Sequence, residues 1–365
     1  MRIPEFKLER YFARWEFSAP YLLCTSDIEG WRMAELLALA DADSRARWES
    51  LTLGYTESTG LPALREAIAG LYPGVGAEQV LTFAGAEEAV FVLMNVLLGP
   101  GEHAVVTWPG YQSLYEVARA TGAEVTLLPL REEDGWALDV EAVRRALRPD
   151  TRLLVVNFPH NPTGALPEPE AFEALCALAE ERGIFLLSDE VYRLLEHAPV
   201  RTLPAAVERT GRGVSLGVMS KAFGLAGLRV GWLASRDAEL LRRCAAYKDY
   251  TTICNSAPSE VLSLMALRAR EQVLARSRTI LAENLKHLDA FFARHADTFR
   301  WVRPRAGSVA FPRLLRDMPV AEFCQALVEL EGVLLLPGDV YGFPGNHFRL
   351  GLGSGGARHQ QRSKQ

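Results

Sequence analysis

Val214-Ser215-Leu216-Gly217-Val218-Met219-Ser220-Lys221-Ala222-Phe223-Gly224-Leu225-Ala226-Gly227-Leu228-Arg229-Val230-Gly231 decides the reading of this chain. Its first residues are apolar enough for a buried strand, and that strand delivers one lysine into a turn of small residues. Arg229 then opens a second apolar run. A lysine amine enclosed beside a fixed positive charge loses affinity for its proton and is freed to form a Schiff base with a carbonyl carbon. The competing reading is a surface lysine between two strands, and the rest of the chain decides between them.

The pattern Ser-Lys-x-x-Gly-Leu-x-Gly-Leu-Arg-x-Gly resembles the cofactor-lysine motif of the class I/II aminotransferases, pyridoxal-phosphate-dependent enzymes of fold type I. The resemblance implies that pyridoxal 5'-phosphate is the cofactor, that Lys221 carries it as a Schiff base, and that Arg229 and Ser220 hold its phosphate. The family often has a second serine three residues before the lysine. Val218 stands there, so the phosphate would rely on Arg229, Ser220 and the backbone at 85–87.

Outward from this stretch, strands and helices alternate from residue 78 onward. Strands are expected at 79–83, 103–107, 124–128, 152–158, 184–188, 213–219 and 229–234, most of them nearly all apolar, as strands covered on both faces should be. Helices at 87–98, 111–121 and 169–182 fall between several of them. The alternation predicts an α/β fold with a mainly parallel, seven-stranded sheet flanked by helices in three layers. The resemblance adds a smaller α/β domain built from both chain ends, with 1–48 and 251–365 belonging to it and 49–250 forming the large cofactor domain.

Ligands in such sheets gather at the carboxyl ends of the strands, and the candidate residues mostly follow strands. Gly85, Ala86 and Glu87 open a helix, where backbone N–H groups and the helix dipole suit an anion; the resemblance makes this the phosphate cradle. Trp108-Pro109-Gly110-Tyr111 reads as a turn with a core aromatic, and the resemblance stacks Tyr111 on the cofactor ring. Asn157-Phe158-Pro159-His160-Asn161-Pro162-Thr163-Gly164 carries two prolines and a glycine that force an extended segment and then a turn, fixing Asn161 inward. The resemblance gives Asn161 the cofactor's phenolic oxygen and a share of the substrate carboxylate, with His160 structural. At the end of the next strand, Asp189 would cap a helix or, by resemblance, keep the cofactor's ring nitrogen protonated. Tyr192 would bond the phenolic oxygen, and Glu190 would face away.

Toward the ends of the chain the signals thin out. A helix is expected near 31–39, and aromatics cluster at Tyr11, Phe12, Trp15, Phe17 and Tyr21, which read as a packing surface; the resemblance lays this segment over the active-site mouth and makes one of the rings a candidate substrate contact. Leu53-Gly54-Tyr55 leads to Pro62 at a helix start, with Leu64, Ile68 and Leu71 on one face. The resemblance sends Tyr55 across a dimer interface to the phosphate of the neighbouring subunit. One long helix is expected over 258–293, since neither Pro nor Gly interrupts it internally, and a strand at 332–336. Arg349, in a short apolar run, needs an acidic partner; the alternatives are a structural ion pair or, by resemblance, a planar fork for the substrate's α-carboxylate. From Ser354 the chain lacks an apolar face, which reads as a truncated or altered end to the small domain.

The composition fits a globular protein: 49% hydrophobic, 23% charged, formal net charge −5. That balance argues against a nucleic-acid partner, and no uncharged run is long enough for a membrane span. The five cysteines are scattered without a Cys-x-x-Cys pair, so neither a metal site nor a disulfide framework is expected, and a cytoplasmic location is. The leading expectation is a homodimeric aminotransferase acting on an L-amino acid and a 2-oxo acid. The alternatives are a carbon–sulfur lyase or cyclising synthase on the same fold, and a non-catalytic relative. Dicarboxylate-specific members of the resembled family use an arginine in the stretch matching 251–258; none stands there, which disfavours a small acidic substrate, and the N-terminal aromatics lean toward an apolar or aromatic one.

Overall fold

The computed structural model describes residues 2–200 and 202–354. Seven strands form one sheet: β1 (Val80–Phe83), β2 (His103–Trp108), β3 (Glu124–Pro129), β4 (Thr151–Asn157), β5 (Phe185–Asp189), β6 (Gly213–Val218) and β7 (Gly231–Ser235). Their order is β1-β7-β6-β5-β4-β2-β3. Neighbours from β3 through β6 pair in parallel, while β7 is antiparallel to both β6 and β1. A parallel return needs a crossover of a dozen or more residues, usually a helix. The Lys221 turn between β6 and β7 holds only a single 3-10 turn, Ala226–Leu228, so β7 comes straight back.

The strands alternate between two cores, as strands buried on both faces must. Leu154 and Val156 of β4 pack with Phe172 and Leu175, while Leu153 and Val155 join Val92 and Leu93 on the opposite face. Helix Pro169–Arg182 covers one face, ending in the left-handed Gly183 at φ 62°. Helix α2 (Ala86–Leu97) covers the other. All seven expected strands and all three expected flanking helices are present, with boundaries moved by at most a few residues.

The ends of the chain depart further from expectation. Helix α1 (Lys7–Trp15) and the helix Ala42–Glu49 were not foreseen, and the helix expected near 31–39 is Met33–Ala38. The single helix expected over 258–293 is two, α3 (Ala257–Arg268) and α4 (Arg270–Arg294), which meet at Ala269 with φ −93° and ψ 20°. The cause is packing. Nearly every residue of α3 from Glu260 to Leu267 is buried, whereas α4 buries only a stripe that includes Val273, Leu281 and Leu285. Arg268, at the joint, is held by Asp41 and Asp43 at 3.2 and 2.7 Å.

The strand expected at 332–336 is also two. Val333–Leu334 pairs in parallel with Tyr21–Leu22, joining the two ends of the chain. Leu336–Pro337 instead pairs with Phe348–Gly351, which lies between it and Val309–Ala310. The stretch read as an altered C-terminus lies, from residue 355 on, outside the described residues.

Candidate active site

A cavity of about 400 Å³ opens at the carboxyl ends of the central strands. On its floor the sheet register sets Asn157, Asp189 and Leu216 side by side across β4, β5 and β6, and all three line it. Burial pushes the Asp189 carboxyl up to about 7, against the opposing pull of the Val191 amide and the Lys221 ammonium. Asn157 works on the neighbouring loop: its Oδ1 accepts from the Asn161 backbone at 2.7 Å, and its Nδ2 donates to the Asp189 carbonyl at 3.0 Å. Asn161 is thereby held at the wall, where its Oδ1 accepts from Tyr341 Oη at 3.1 Å and from Arg349 at 3.5 Å. His160 is fully buried against Thr163 and pushed down to about 4 by burial, so it stays neutral and structural. Glu190 turns away from the cavity, accepting from the Ala206 amide and Ser215 Oγ at 2.9 Å each.

At one end of the cavity Gly85, at φ 97°, precedes α2. A Cβ there would lie 2.6 Å from Arg229 Nη2, so only glycine lets that guanidinium rest against the opening turn of the helix. Arg229 itself is left-handed at φ 53° and donates to the Ala226 carbonyl at 3.1 Å. A guanidinium beside free helical N–H groups is an anion site. Ala86, Ser220 and Val218 line the same end. Val218 packs there with no polar atom, as its identity dictates. Glu87 accepts from Ser113 Oγ and is pushed up by burial; the Tyr111 ring stands nearby, its centroid 5.2 Å from that of Phe6.

Lys221 Nζ donates to Ser26 Oγ at 2.8 Å. Burial depresses its pKa most, helped by Arg349 and Arg229 and opposed by Asp27 and Asp189. Opposite it Arg349 is 1% exposed, its Nε and Nη2 donating to the Cys24 carbonyl at 3.0 and 2.7 Å and its Nη1 to Tyr341 Oη at 2.8 Å. No carboxylate forms an ion pair with it among the described residues, so the structural ion pair considered from sequence is absent. A buried guanidinium without a counter-charge asks for an anion.

The structure therefore gathers Ala86, Glu87, Tyr111, Asn161, Asp189, Tyr192, Ser220, Lys221, Arg229 and Arg349 around one cavity, with Gly85 behind it. Tyr55 is not among them: it is 89% exposed, on the surface beside 254–258. Phe12, one of the aromatic rings singled out from sequence, lines the cavity; two groups of lining residues were missed, namely Leu8 and Glu9 of α1 with Glu16 just after it, and Thr25, Ser26 and Asp27 of the following loop. The first group had a signal, since positions 9, 12 and 16 share one helical face. The second had none.

The donor set fits pyridoxal phosphate on its own terms. Lys221 offers an amine of reduced basicity, and Gly85 with Arg229 forms an anion cradle. Asp189 is an enclosed carboxyl, and Tyr192 Oη is a buried hydroxyl with no hydrogen-bond partner among the described residues. Comparison with known proteins agrees. The family profile "Aminotransferase class I and II" matches residues 22–360. Capreomycidine synthase of Streptomyces vinaceus is 32% identical over 354 residues, covering 96% of this chain and 90% of that protein. An arginine–pyruvate transaminase of Pseudomonas aeruginosa is 31% identical over 346 residues, covering 87% and 85%. A crystal structure of a PLP-dependent aminotransferase from Streptococcus suis superposes with a TM-score of 0.92 at 33% identity, covering 99% of this chain and 96% of that one. The amine, the anion cradle, the buried acid and these likenesses converge: the chain belongs to the class I and II aminotransferase family, and its cofactor is pyridoxal 5'-phosphate.

Proposed function

We propose that this protein is an aminotransferase, moving an amino group between an L-amino acid and a 2-oxo acid. The observation that carries the reading is Arg349, a buried guanidinium without a carboxylate partner among the described residues, opening onto the same cavity as the Lys221 amine. A planar fork suits an α-carboxylate, and a substrate anchored there presents its α-carbon to the cavity that holds Lys221.

The cofactor, when bound, supplies an electron sink for the bond broken at the α-carbon. The protein supplies the rest. Arg229, Ser220 and the backbone at Gly85–Glu87 would hold the phosphate, and Tyr111 would offer its ring to the cofactor's. Asp189 keeps the ring nitrogen protonated, and a cation beside it restores the charge that burial suppresses. Tyr192 Oη and the Asn161 amide donate to the phenolic oxygen; with Asn161 Oδ1 taken by Tyr341 and Arg349, Nδ2 is the end left to donate. Lys221 Nζ would take the α-proton as general base and deliver it on the cofactor side as general acid.

Residues 1–48 and 251–365 are read as a small domain over the 49–250 domain, supported by the pairing of Tyr21–Leu22 with Val333–Leu334. A homodimer is proposed, with Tyr55 reaching the partner's phosphate. Its support is the exposure of Leu53, Tyr55 and Tyr250, at 86, 89 and 90%. A cytoplasmic location is proposed on five free cysteines, and no helix among the described residues is long and apolar enough to cross a membrane.

The holoprotein should release 2-oxo acid from an amino acid beyond one equivalent per site only when a second oxo acid is present to accept the amino group, and Lys221→Ala should abolish this. Appreciable exchange in Lys221→Ala would remove that lysine from the chemistry. A second reading, a cyclising synthase, is favoured by the likeness to capreomycidine synthase. It would appear as a cyclic product formed without any oxo-acid acceptor.

A further inference from the structure

We propose that Tyr341 is a positioning residue of this active site: its hydroxyl proton fixes which way the Asn161 amide faces, and its hydroxyl oxygen holds the Arg349 guanidinium. One buried group that does not itself line the cavity then sets both the donor for the cofactor's phenolic oxygen and the fork for the α-carboxylate. The proposal rests on the roles given above to Asn161 and Arg349.

The polarity of the junction has a single solution. A guanidinium carries only donors, so Tyr341 Oη accepts from Arg349 Nη1, at 2.8 Å. The one hydroxyl proton is left for Asn161 Oδ1, at 3.1 Å. Turned the other way, the amide would set Nδ2 against a guanidinium N–H and leave a buried hydroxyl proton without an acceptor. Asn157 Oδ1 already fixes the Asn161 backbone at 2.7 Å, and the Tyr341 hydroxyl fixes the side chain. Burial holds the Tyr341 proton more tightly than in an ordinary phenol, against the pull of Arg349, so the donor persists at neutral pH.

Arg349 could reach Asn161 without this hydroxyl, but poorly. The direct contact from Nη1 to Oδ1 is 3.5 Å, at the outer limit of a hydrogen bond, so the two shorter bonds through Tyr341 carry the link. Tyr341 is itself well held. It ends the 3-10 turn Gly338–Tyr341, its carbonyl accepts from Trp108 Nε1 at 3.1 Å, and its ring meets Phe311 edge-on at 5.9 Å. The side chain is 3% exposed. Asn161 follows β4, whereas Tyr341 and Arg349 come from the far end of the chain, so the hydroxyl is where the cofactor wall and the carboxylate site are joined.

Tyr341→Phe keeps the ring and removes only the hydroxyl. Two readouts on the holoprotein test it: the dissociation constant of a monocarboxylate, the tightest of a set from propionate to 3-phenylpropionate, and the pH midpoint of the cofactor's visible absorption. The carboxylate should bind roughly three- to tenfold more weakly, as its fork loses one of its supports. A donor on the phenolic oxygen favours the deprotonated form of the cofactor, so the midpoint should rise in Tyr341→Phe and in Asn161→Ala. The double variant should rise no further than Asn161→Ala alone. A hydroxyl that is merely structural would lower the thermal midpoint and leave both readouts unmoved, which would overturn the proposal. So would a pH midpoint that moves in Asn161→Ala but not in Tyr341→Phe. If Asn161→Ala leaves the pH midpoint unchanged while Tyr341→Phe still weakens the carboxylate, Asn161 does not serve the phenolic oxygen, and the hold of Tyr341 on Arg349 stands.

Discussion

Replacing Gly85 by alanine separates what the anion cradle contributes to folding from what it contributes to cofactor binding. The residue sits at φ 97° and ψ 172°, and an L side chain held there is strained by about 1–3 kcal/mol. That cost belongs to the backbone and should lower the thermal midpoint of the apoprotein. The added methyl has a second effect. It would lie 2.6 Å from Arg229 Nη2 and 3.3 Å from its Cζ, well inside the roughly 3.5–4.0 Å of a comfortable contact. The guanidinium must leave the opening turn of α2, and losing one charge-assisted hydrogen bond costs about 1.5–3 kcal/mol. The affinity for pyridoxal phosphate should then fall by roughly ten- to a hundredfold. Fluorescence titration of the apoprotein measures this in Gly85→Ala, Arg229→Ala and the double variant. Because both lesions act on one contact, the double variant should bind no worse than Arg229→Ala alone. A lowered midpoint with wild-type affinity, or losses that simply add, would refute the placement of the phosphate between Gly85 and Arg229.

Two further outcomes follow from the same geometry. Asp189 is raised by burial from 3.8 to about 7, so the folded apoprotein holds a proton there that the unfolded chain has lost. Its contribution to stability is therefore present below about pH 4 and disappears as pH rises through about 7, on the order of a few kcal/mol. The apoprotein thermal midpoint should fall over that window, and Asp189→Asn should flatten the slope; an unchanged slope would mean that Asp189 is not the group titrating. The proposed role of Tyr55 predicts complementation. In a mixed dimer of Lys221→Ala and Tyr55→Ala subunits, one site carries both lesions and the other neither, so mixing the two should restore activity above either alone, whereas no gain would place Tyr55 outside the partner's site.

The large sheet and the residues at its edge were legible because each rests on local rules. Strands covered on both faces must be continuously apolar, which is why 103–107, 152–158 and 213–219 stood out. Gly85, Asn161, Asp189 and Lys221 follow such strands directly, and strand order carries them to one edge. The break at Ala269 was not legible. No residue there opposes a helix, and only the different surroundings of α3 and α4 redirect the chain.

By itself, then, the sequence determined the α/β layering, since periodicity and turn chemistry act over a few residues, and its motif's resemblance singled out Lys221 as the lysine proposed to carry the cofactor. The tertiary structure decided that Arg349 has no acidic partner among the described residues, that Ser26 meets Lys221, and that Glu9 and Phe12 line the same cavity. Each of those depends on two ends of the chain meeting across the small sheets, where Tyr21–Leu22 pairs with Val333–Leu334. Contacts between residues hundreds of positions apart leave no periodic trace along the chain, because their cause is the closing of the whole fold rather than any local preference.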